Sequence, residues 1–365
     1  MIEDNKLDDV KIVFSGGGTL GPVTPLLAIR EAFIQKYPHA RFIWVGSSDG
    51  PERTLLEQYD IPYFIISAGK WRRYFSLSNF FDFFKIIVAF FQSLLLIWQE
   101  KPDLLISAGG FISVPLHWAG WILGVPSWIH QQDVAPGLAN RLMAPAARKI
   151  TVALADCVKF FSSRKTEWLG NPARSLAGIS SAEGKKYFGL PVASPVIFVV
   201  GGGTGSARLN QILTEALPAW PKDWQVIHLV GKERPQELSR RVAGVFPNYH
   251  VFDFFTKEMK YAYAAADVVV ARAGFNTITE LALLSKPAIL LPKEGHQESN
   301  AQFFASRNAA LIINEKVDSG LKLAQQTKEV VLLAERRRIL GRQLHQLLPI
   351  ADPGRIVKIV EDILQ

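Results

Sequence analysis

The sequence predicts an α/β protein built as two similar domains with parallel sheets, facing a shared cleft. At 365 residues the chain exceeds the usual size of a single core. A glycine-rich turn follows an apolar run twice, at 11–21 and at 196–206, half a chain apart. After each turn, short apolar runs alternate with longer helical patterns, the signature of βαβ units whose binding loops gather beyond the strand ends.

The elements follow in order. Residues 11–15 read as a strand leading into Gly16-Gly17-Gly18-Thr19-Leu20-Gly21, and 25–37 as a helix whose apolar face is Leu26, Leu27, Ile29, Ala32 and Phe33. Strands are expected at 42–45, 63–66 and 104–106, the last ending at Gly109-Gly110, and again at 127–130, before Gln131, Gln132 and Asp133. Weak strand character covers 150–154 and 157–161, and Gly170-Asn171-Pro172 marks a boundary. The second series has strands at 196–200, 225–229, 250–252, 268–271, 288–291 and 310–313. Residues 277–284 start a helix, 328–347 form one helix with Arg336, Arg337 and Arg338 as a solvated face, and 355–364 form the last. The expected division is 1–170, a connection at 171–195, a second domain at 196–348 and a terminal helical segment at 349–365.

Composition narrows the partners. With 41 Lys and Arg against 33 Asp and Glu, the net charge of +8 favours anionic ligands. The arginine run lacks support elsewhere, so no nucleic acid is expected. A single cysteine, Cys157, excludes an intrachain disulfide framework and a cysteine-rich metal site, and no protein-bound metal is expected. The polar first ten residues lack the apolar core of a signal peptide, which suggests a cytoplasmic location. The aromatic-rich segment 74–98 is interrupted by Asp82, Lys85, Gln92 and Ser93, so it suits the membrane interface better than a span. Arg72, Arg73, Phe80, Phe84 and Phe91 are its expected contacts with anionic lipid; a core helix is the alternative.

Glycine clusters after strands bring amide donors close to a ligand, and a following helix adds the positive end of its dipole. Neither turn continues into the Gly-Lys-Ser/Thr ending of a triphosphate loop, and neither fits Gly-x-Gly-x-x-Gly. A nucleophilic serine elbow is absent too.

Together with Gly170-Asn171-Pro172-x-Arg174, Gly202-Gly203-x-Gly205 and Arg272-x-Gly274…Glu280…Pro287…Pro292…His296-Gln297…Asn300-Ala301, the two turns resemble the MurG-type glycosyltransferase family over nearly the whole chain. The resemblance implies a GT-B arrangement of two Rossmann-like parallel-sheet domains facing a central cleft. It also implies inverting transfer of N-acetylglucosamine from UDP-N-acetylglucosamine to undecaprenyl-diphosphate-linked N-acetylmuramoyl-pentapeptide, in peptidoglycan precursor synthesis. It further implies an N-terminal acceptor and membrane-facing domain, a C-terminal UDP-sugar domain, no tightly bound cofactor, and a peripheral position on the cytoplasmic face among anionic inner-leaflet lipids. Donor contacts fall by resemblance on Arg174, Gly203, Thr204, Phe255, Glu280, Gln297 and Asn300. Glu280 is assigned the ribose hydroxyls, Gln297 the sugar hydroxyls, Arg174 the phosphates, and the segment 254–259 approaches uracil. Asn210 is expected to support the helix after the turn, and Phe254 to be a core residue.

The resemblance places Thr19, Gly21, Gln131 and Gln132 on the acceptor side, where the two segments that hold them depart from the family pattern, above all at Pro22 and Gln131. Gly-Gly-Thr-Gly-Gly-His becomes Gly17-Gly18-Thr19-Leu20-Gly21-Pro22, and His-Glu-Gln-Asn becomes His130-Gln131-Gln132-Asp133. Proline cannot exchange a proton. The general base is then Asp133 or His130, or the site acts mainly by positioning.

Overall fold

The computed structural model describes residues 7–18, 20–48, 50, 52–67, 77–174, 176, 178–202, 205–232 and 234–365, with the side chains of 54 and 77–83 outside the description. Thr19, Arg72, Arg73, Gly203 and Thr204 therefore lie outside the described residues, as does the side chain of Phe80. The chain divides into two compact units, one comprising the residues up to Arg174 together with Ile350–Gln365, the other Ser175–Pro349.

The first unit runs β1 (Lys11–Ser15), α1 (Val23–Lys36), β2 (Arg41–Gly46), α2 (Glu52–Leu56), β3 (Tyr63–Ile65), α3 (Leu77–Glu100), β4 (Leu104–Ser107), α4 (Ser113–Ile122), β5 (Ser127–Gln131), α5 (Leu138–Met143), β6 (Lys149–Val152) and β7 (Thr166–Trp168). The strands form one sheet in the order β3-β2-β1-β4-β5-β6-β7, and each described pairing is parallel. Ile12, Phe14 and Trp44 point to one face of the sheet, where they pack with Leu26, Ile29 and Phe33 of α1. Val13, Val45 and Leu105 point to the other, against Leu96 of α3 and Leu116 of α4. Near-continuous apolar strands are what a parallel sheet covered on both faces requires.

The second unit runs α6 (Ser181–Tyr187), β8 (Val196–Val200), α7 (Ala207–Ala216), β9 (Gln225–Leu229), α8 (Glu237–Ala243), β10 (Tyr249–Phe252), α9 (Met259–Ala265), β11 (Val268–Ala271), α10 (Phe275–Leu283), β12 (Ala288–Leu290), α11 (His296–Ala305), β13 (Leu311–Ile312), α12 (Gly320–Leu332) and α13 (Ala334–Leu347). Its sheet order is β10-β9-β8-β11-β12-β13, also parallel. Two parallel sheets flanked by helices give the two α/β domains expected from the paired turns, in the two-Rossmann-domain form that the resemblance implies.

The last helix, α14 (Pro353–Leu364), closes the first unit. Ile356, Val360 and Ile363 join the core beside α1, and Glu361 accepts from Lys36 at 2.6 Å and from Tyr37 at 2.7 Å. The chain beyond 349 thus completes the first domain's core.

Two local expectations are corrected. Residues 157–161 are not strand-like: Ala155–Phe160 is a 3-10 turn in which Cys157 is buried and Phe160 is exposed. The run 328–347 is not one helix, because it breaks at Leu333. Arg337 folds back to donate to the carbonyls of Val330 and Val331, satisfying the last turn of α12. Arg337 is thereby withdrawn from the solvated face, while Arg338 pairs with Glu335 at 2.6 Å.

Candidate functional site

In a parallel open sheet, ligands bind where the strand order reverses. In the first unit that point lies between β1 and β4. The turn after β1 and the turn after β4 meet there backbone to backbone. Gly110 has φ of +104°, and a Cβ at that position would stand 3.1 Å from the Gly17 nitrogen. Only glycine allows both the conformation and the approach. Hydroxyl groups brace the pair from below: Ser107 Oγ donates to the Ser15 carbonyl at 3.0 Å and lies 2.9 Å from Ser113 Oγ, while the Gly109 amide donates to Ser107 Oγ at 3.0 Å. His117 Nε2 lies 3.4 Å from Ser15 Oγ, and complete burial pushes this imidazole down to about 3.

The structure brings Gln132 to the first turn, where its Nε2 donates to the Gly21 carbonyl at 3.2 Å. Gln131 shapes the loop that follows β5. Its Oε1 accepts from Asn140 Nδ2 at 2.6 Å, and its Nε2 donates to the carbonyls of Asp133 at 2.8 Å and Ala135 at 3.3 Å. A glutamate there has no proton to donate to those carbonyls when ionised, so the amide suits this loop. Asp133 stands half-buried on the same loop. Pro22 stands immediately before α1 with φ of −69°.

His130 is fully buried, with Nδ1 2.8 Å from Thr151 Oγ1 and Nε2 2.8 Å from Asn171 Oδ1. Thr151 Oγ1 already accepts from Trp128 Nε1 at 2.8 Å, so its proton points to His130 Nδ1. The Asn171 oxygen only accepts, which assigns the single imidazole proton to Nε2 and leaves Nδ1 as the acceptor. Burial lowers this histidine to about 4. Its one basic nitrogen is thus occupied inside the core. Asn171 in turn bridges to Ile350, tying the Gly170-Asn171-Pro172 junction into the first unit. Arg174 lies half-buried beyond it and acts electrostatically on Glu31 of α1, whose carboxyl is raised by burial and lowered by the charges of Arg30 and Arg174.

In the second unit the reversal lies between β8 and β11. A cavity of about 270 Å³ opens there, walled by Gly201, Gly205 and Ser206 of the second turn with Arg208, Arg234, Arg272, Lys293, Gln297 and Glu315. Four cations against one carboxylate make it an anion-receiving pocket at the start of α7. Arg272 is locked: Nε and Nη2 donate to Ser206 Oγ at 2.9 and 2.6 Å, Nη1 donates to the Leu291 carbonyl at 3.0 Å, and Nη1 pairs with Glu315 at 2.6 Å. Arg208 on the first turn of α7, Arg234 and Lys293 come from three separate segments that share no spacing, so the sequence does not single them out.

The expected donor residues divide around this cavity. Gln297 lines it and accepts from the Lys293 amide at 3.0 Å. Glu280, on α10, is buried and accepts from the Tyr263 hydroxyl at 2.8 Å, outside the described cavity wall. Asn300 is fully buried on α11 and donates to the Ala273 carbonyl at 3.4 Å, fastening α11 to the turn after β11. Phe255 is buried with Phe188 and Phe252, at centroid distances of 5.4 and 4.9 Å. Phe254, expected in the core, is instead 41 % exposed with Lys232 over its ring, because its neighbour fills the aromatic cluster. Among the described residues no group of His, Cys, Asp and Glu is arranged to hold a metal ion.

A separate apolar face lies on the first unit. Phe84, Val88, Phe91, Leu95 and Trp98 recur at helical spacing on the exposed side of α3, with Phe91 at 63 % and Trp98 at 69 % exposure, while Ala89, Leu96 and Ile97 are buried behind them. Helix α4, packed on α3, exposes Trp121 and Ile122, and α5, packed on α4, exposes Leu138 and Leu142. No helix among the described residues is long and apolar enough to cross a membrane.

Both halves match models of one family: residues 12–152 the glycosyltransferase family 28 N-terminal domain, and 196–343 the family 28 C-terminal domain. The chain is 36 % identical over 328 residues to the UDP-N-acetylglucosamine--N-acetylmuramyl-(pentapeptide) pyrophosphoryl-undecaprenol N-acetylglucosamine transferase of Legionella pneumophila (strain Paris), covering 88 % of each protein. It is 35 % identical over 345 residues to the protein of the same name from Lachnospira eligens, covering 93 % of each. The crystal structure of Acinetobacter baumannii MurG superposes with a TM-score of 0.74 at 24 % identity, over 97 % of this chain and 99 % of that one. With both domains matched in order along most of its length, the chain belongs to glycosyltransferase family 28 and is closely related to the bacterial MurG glycosyltransferases.

Proposed function

We propose that the protein transfers N-acetylglucosamine from UDP-N-acetylglucosamine to the undecaprenyl-diphosphate-linked N-acetylmuramoyl-pentapeptide, as an inverting UDP-sugar-dependent transferase of peptidoglycan precursor synthesis. The observation that carries the reading is the cationic cavity at the second reversal point, in a chain 36 % identical to transferases of that name. Its turn and cations receive the UDP diphosphate, Gln297 contacts the sugar, and Glu280 accepts from the ribose. In the first unit the paired glycine turns receive the acceptor's diphosphate.

The acceptor hydroxyl attacks the anomeric carbon, the bond to UDP breaks, and the hydroxyl proton passes to Asp133. Asp133 is preferred over His130 because the only basic nitrogen of His130 is engaged in the core. The exposed face of α3, α4 and α5 rests on the anionic inner leaflet, where a lipid-linked acceptor lies. Purified protein given radiolabelled UDP-N-acetylglucosamine and the undecaprenyl-linked acceptor is expected to form the disaccharide lipid. Donor binding without transfer to that acceptor, or transfer only to another lipid-linked sugar, would overturn the assignment.

A further inference from the structure

A third fully buried histidine lies in the second unit. His228 on β9 has Nε2 3.0 Å from Asn210 Oδ1 and Nδ1 2.6 Å from the Tyr249 hydroxyl. Because Asn210 Nδ2 donates to the Val230 carbonyl at 3.1 Å, its oxygen faces the imidazole. His228 therefore carries its proton on Nε2 and accepts the Tyr249 proton on Nδ1. Tyr249 also bonds the side chain of Ser239 on α8.

The far end of this chain of bonds reaches the second glycine turn. Gly205 has φ of +68°, and a Cβ there would lie 2.6 Å from the Val230 carbonyl oxygen, the atom that Asn210 holds. The Asn210 amide donates to the Ser206 carbonyl at 2.9 Å, and Ser206 Oγ is the anchor of Arg272. One unbroken path thus runs from β10 through β9 and α7 to Gly205, Ser206 and Arg272, which form part of the cavity wall.

We propose that His228 is a positioning residue for this cavity. As a neutral, single-tautomer imidazole it sets the orientation of Asn210. Asn210 then holds the Val230 carbonyl and the first turn of α7 against Gly205, keeping Ser206 and Arg272 where a nucleoside diphosphate is received. The inference rests on the donor reading above and adds residues outside the cavity wall to it.

Two substitutions of similar size separate positioning from bulk stability. The glutamine of His228→Gln is long enough to place an amide donor where Nε2 stood, preserving the bond to Asn210. The asparagine of His228→Asn reaches only the Nδ1 position and loses that bond. Both lose packing, so both are expected to melt earlier. UDP affinity by calorimetry is expected to fall about tenfold in His228→Asn and to stay near that of the unaltered chain in His228→Gln. In turnover assays the same split is expected in KM for UDP-N-acetylglucosamine, with kcat at saturation little changed.

Tyr249→Phe, a smaller change, leaves Nδ1 without its donor and is expected to weaken UDP about threefold. Equal UDP affinity in all three variants, or losses that merely track melting temperature, would overturn the inference while leaving the donor reading intact. Absence of UDP binding to the unaltered chain would overturn both.

Discussion

His130 Nε2 donates to Asn171 Oδ1 at 2.8 Å, joining the end of β5 to a junction 41 residues further along the chain. This bond makes His130 a tie within the first unit. His130→Asn is expected to lower the melting temperature while leaving the pH profile of turnover unmoved. A lost acid limb in that profile would return His130 to the role of proton acceptor.

The three fully buried histidines carry a pH signature. His117, His130 and His228 are lowered from 6.5 to about 3, 4 and 3, all chiefly by burial. The unfolded chain binds their protons near 6.5 while the folded chain refuses them. The stability they contribute is complete above pH 6.5 and is lost as pH falls towards the folded values, at about 1.4 kcal/mol per pH unit for each histidine. Denaturant melts between pH 7 and 4.5 are expected to show this slope, and His228→Gln to reduce it by about one histidine's share.

Gln131→Glu, which restores the family's usual residue, is expected to destabilise the chain by about 1–3 kcal/mol. The new carboxylate would face the Asp133 and Ala135 carbonyls that the amide now serves. Chemical denaturation measures the loss, and an unchanged midpoint would reject the account of this loop.

Asp133→Asn is expected to lower kcat by about 100-fold or more without weakening UDP, since a base acts in the transition state and not on donor binding. Glu280→Ala is expected to weaken UDP and UDP-N-acetylglucosamine alike, and to leave the Tyr263 hydroxyl without the acceptor it has at 2.8 Å. Loss of the complete donor alone, with UDP binding intact, would remove the ribose role.

Replacing Phe91 and Trp98 with serine removes two of the most exposed side chains on α3. Their exposure predicts little change in melting temperature. Flotation with anionic vesicles is expected to drop, and more strongly at high salt, where headgroup attraction is screened. Full flotation of the folded double variant would reject α3 as the contact face.

The sequence by itself determined the two parallel-sheet domains and each of the six described strands of the second sheet, including Gln225–Leu229 and Val268–Ala271. Apolar runs ending in glycine are local signals, and a strand buried on both faces must display them. It also marked the second glycine turn, whereas Gln297, which lines the cavity, is reached through the family resemblance. The tertiary structure decided which side chains meet. That Phe255 and not Phe254 turns inward depends on Phe188, 67 positions earlier. That Arg337 ends a helix depends on the break at Leu333, and that α14 closes the first core depends on Lys36 and Tyr37 across most of the chain. The cationic cavity and the buried histidines belong to the same class. Periodicity reports that a residue is buried, but the partner that satisfies its polar atoms is supplied by strand order, which brings distant segments to one edge of a sheet.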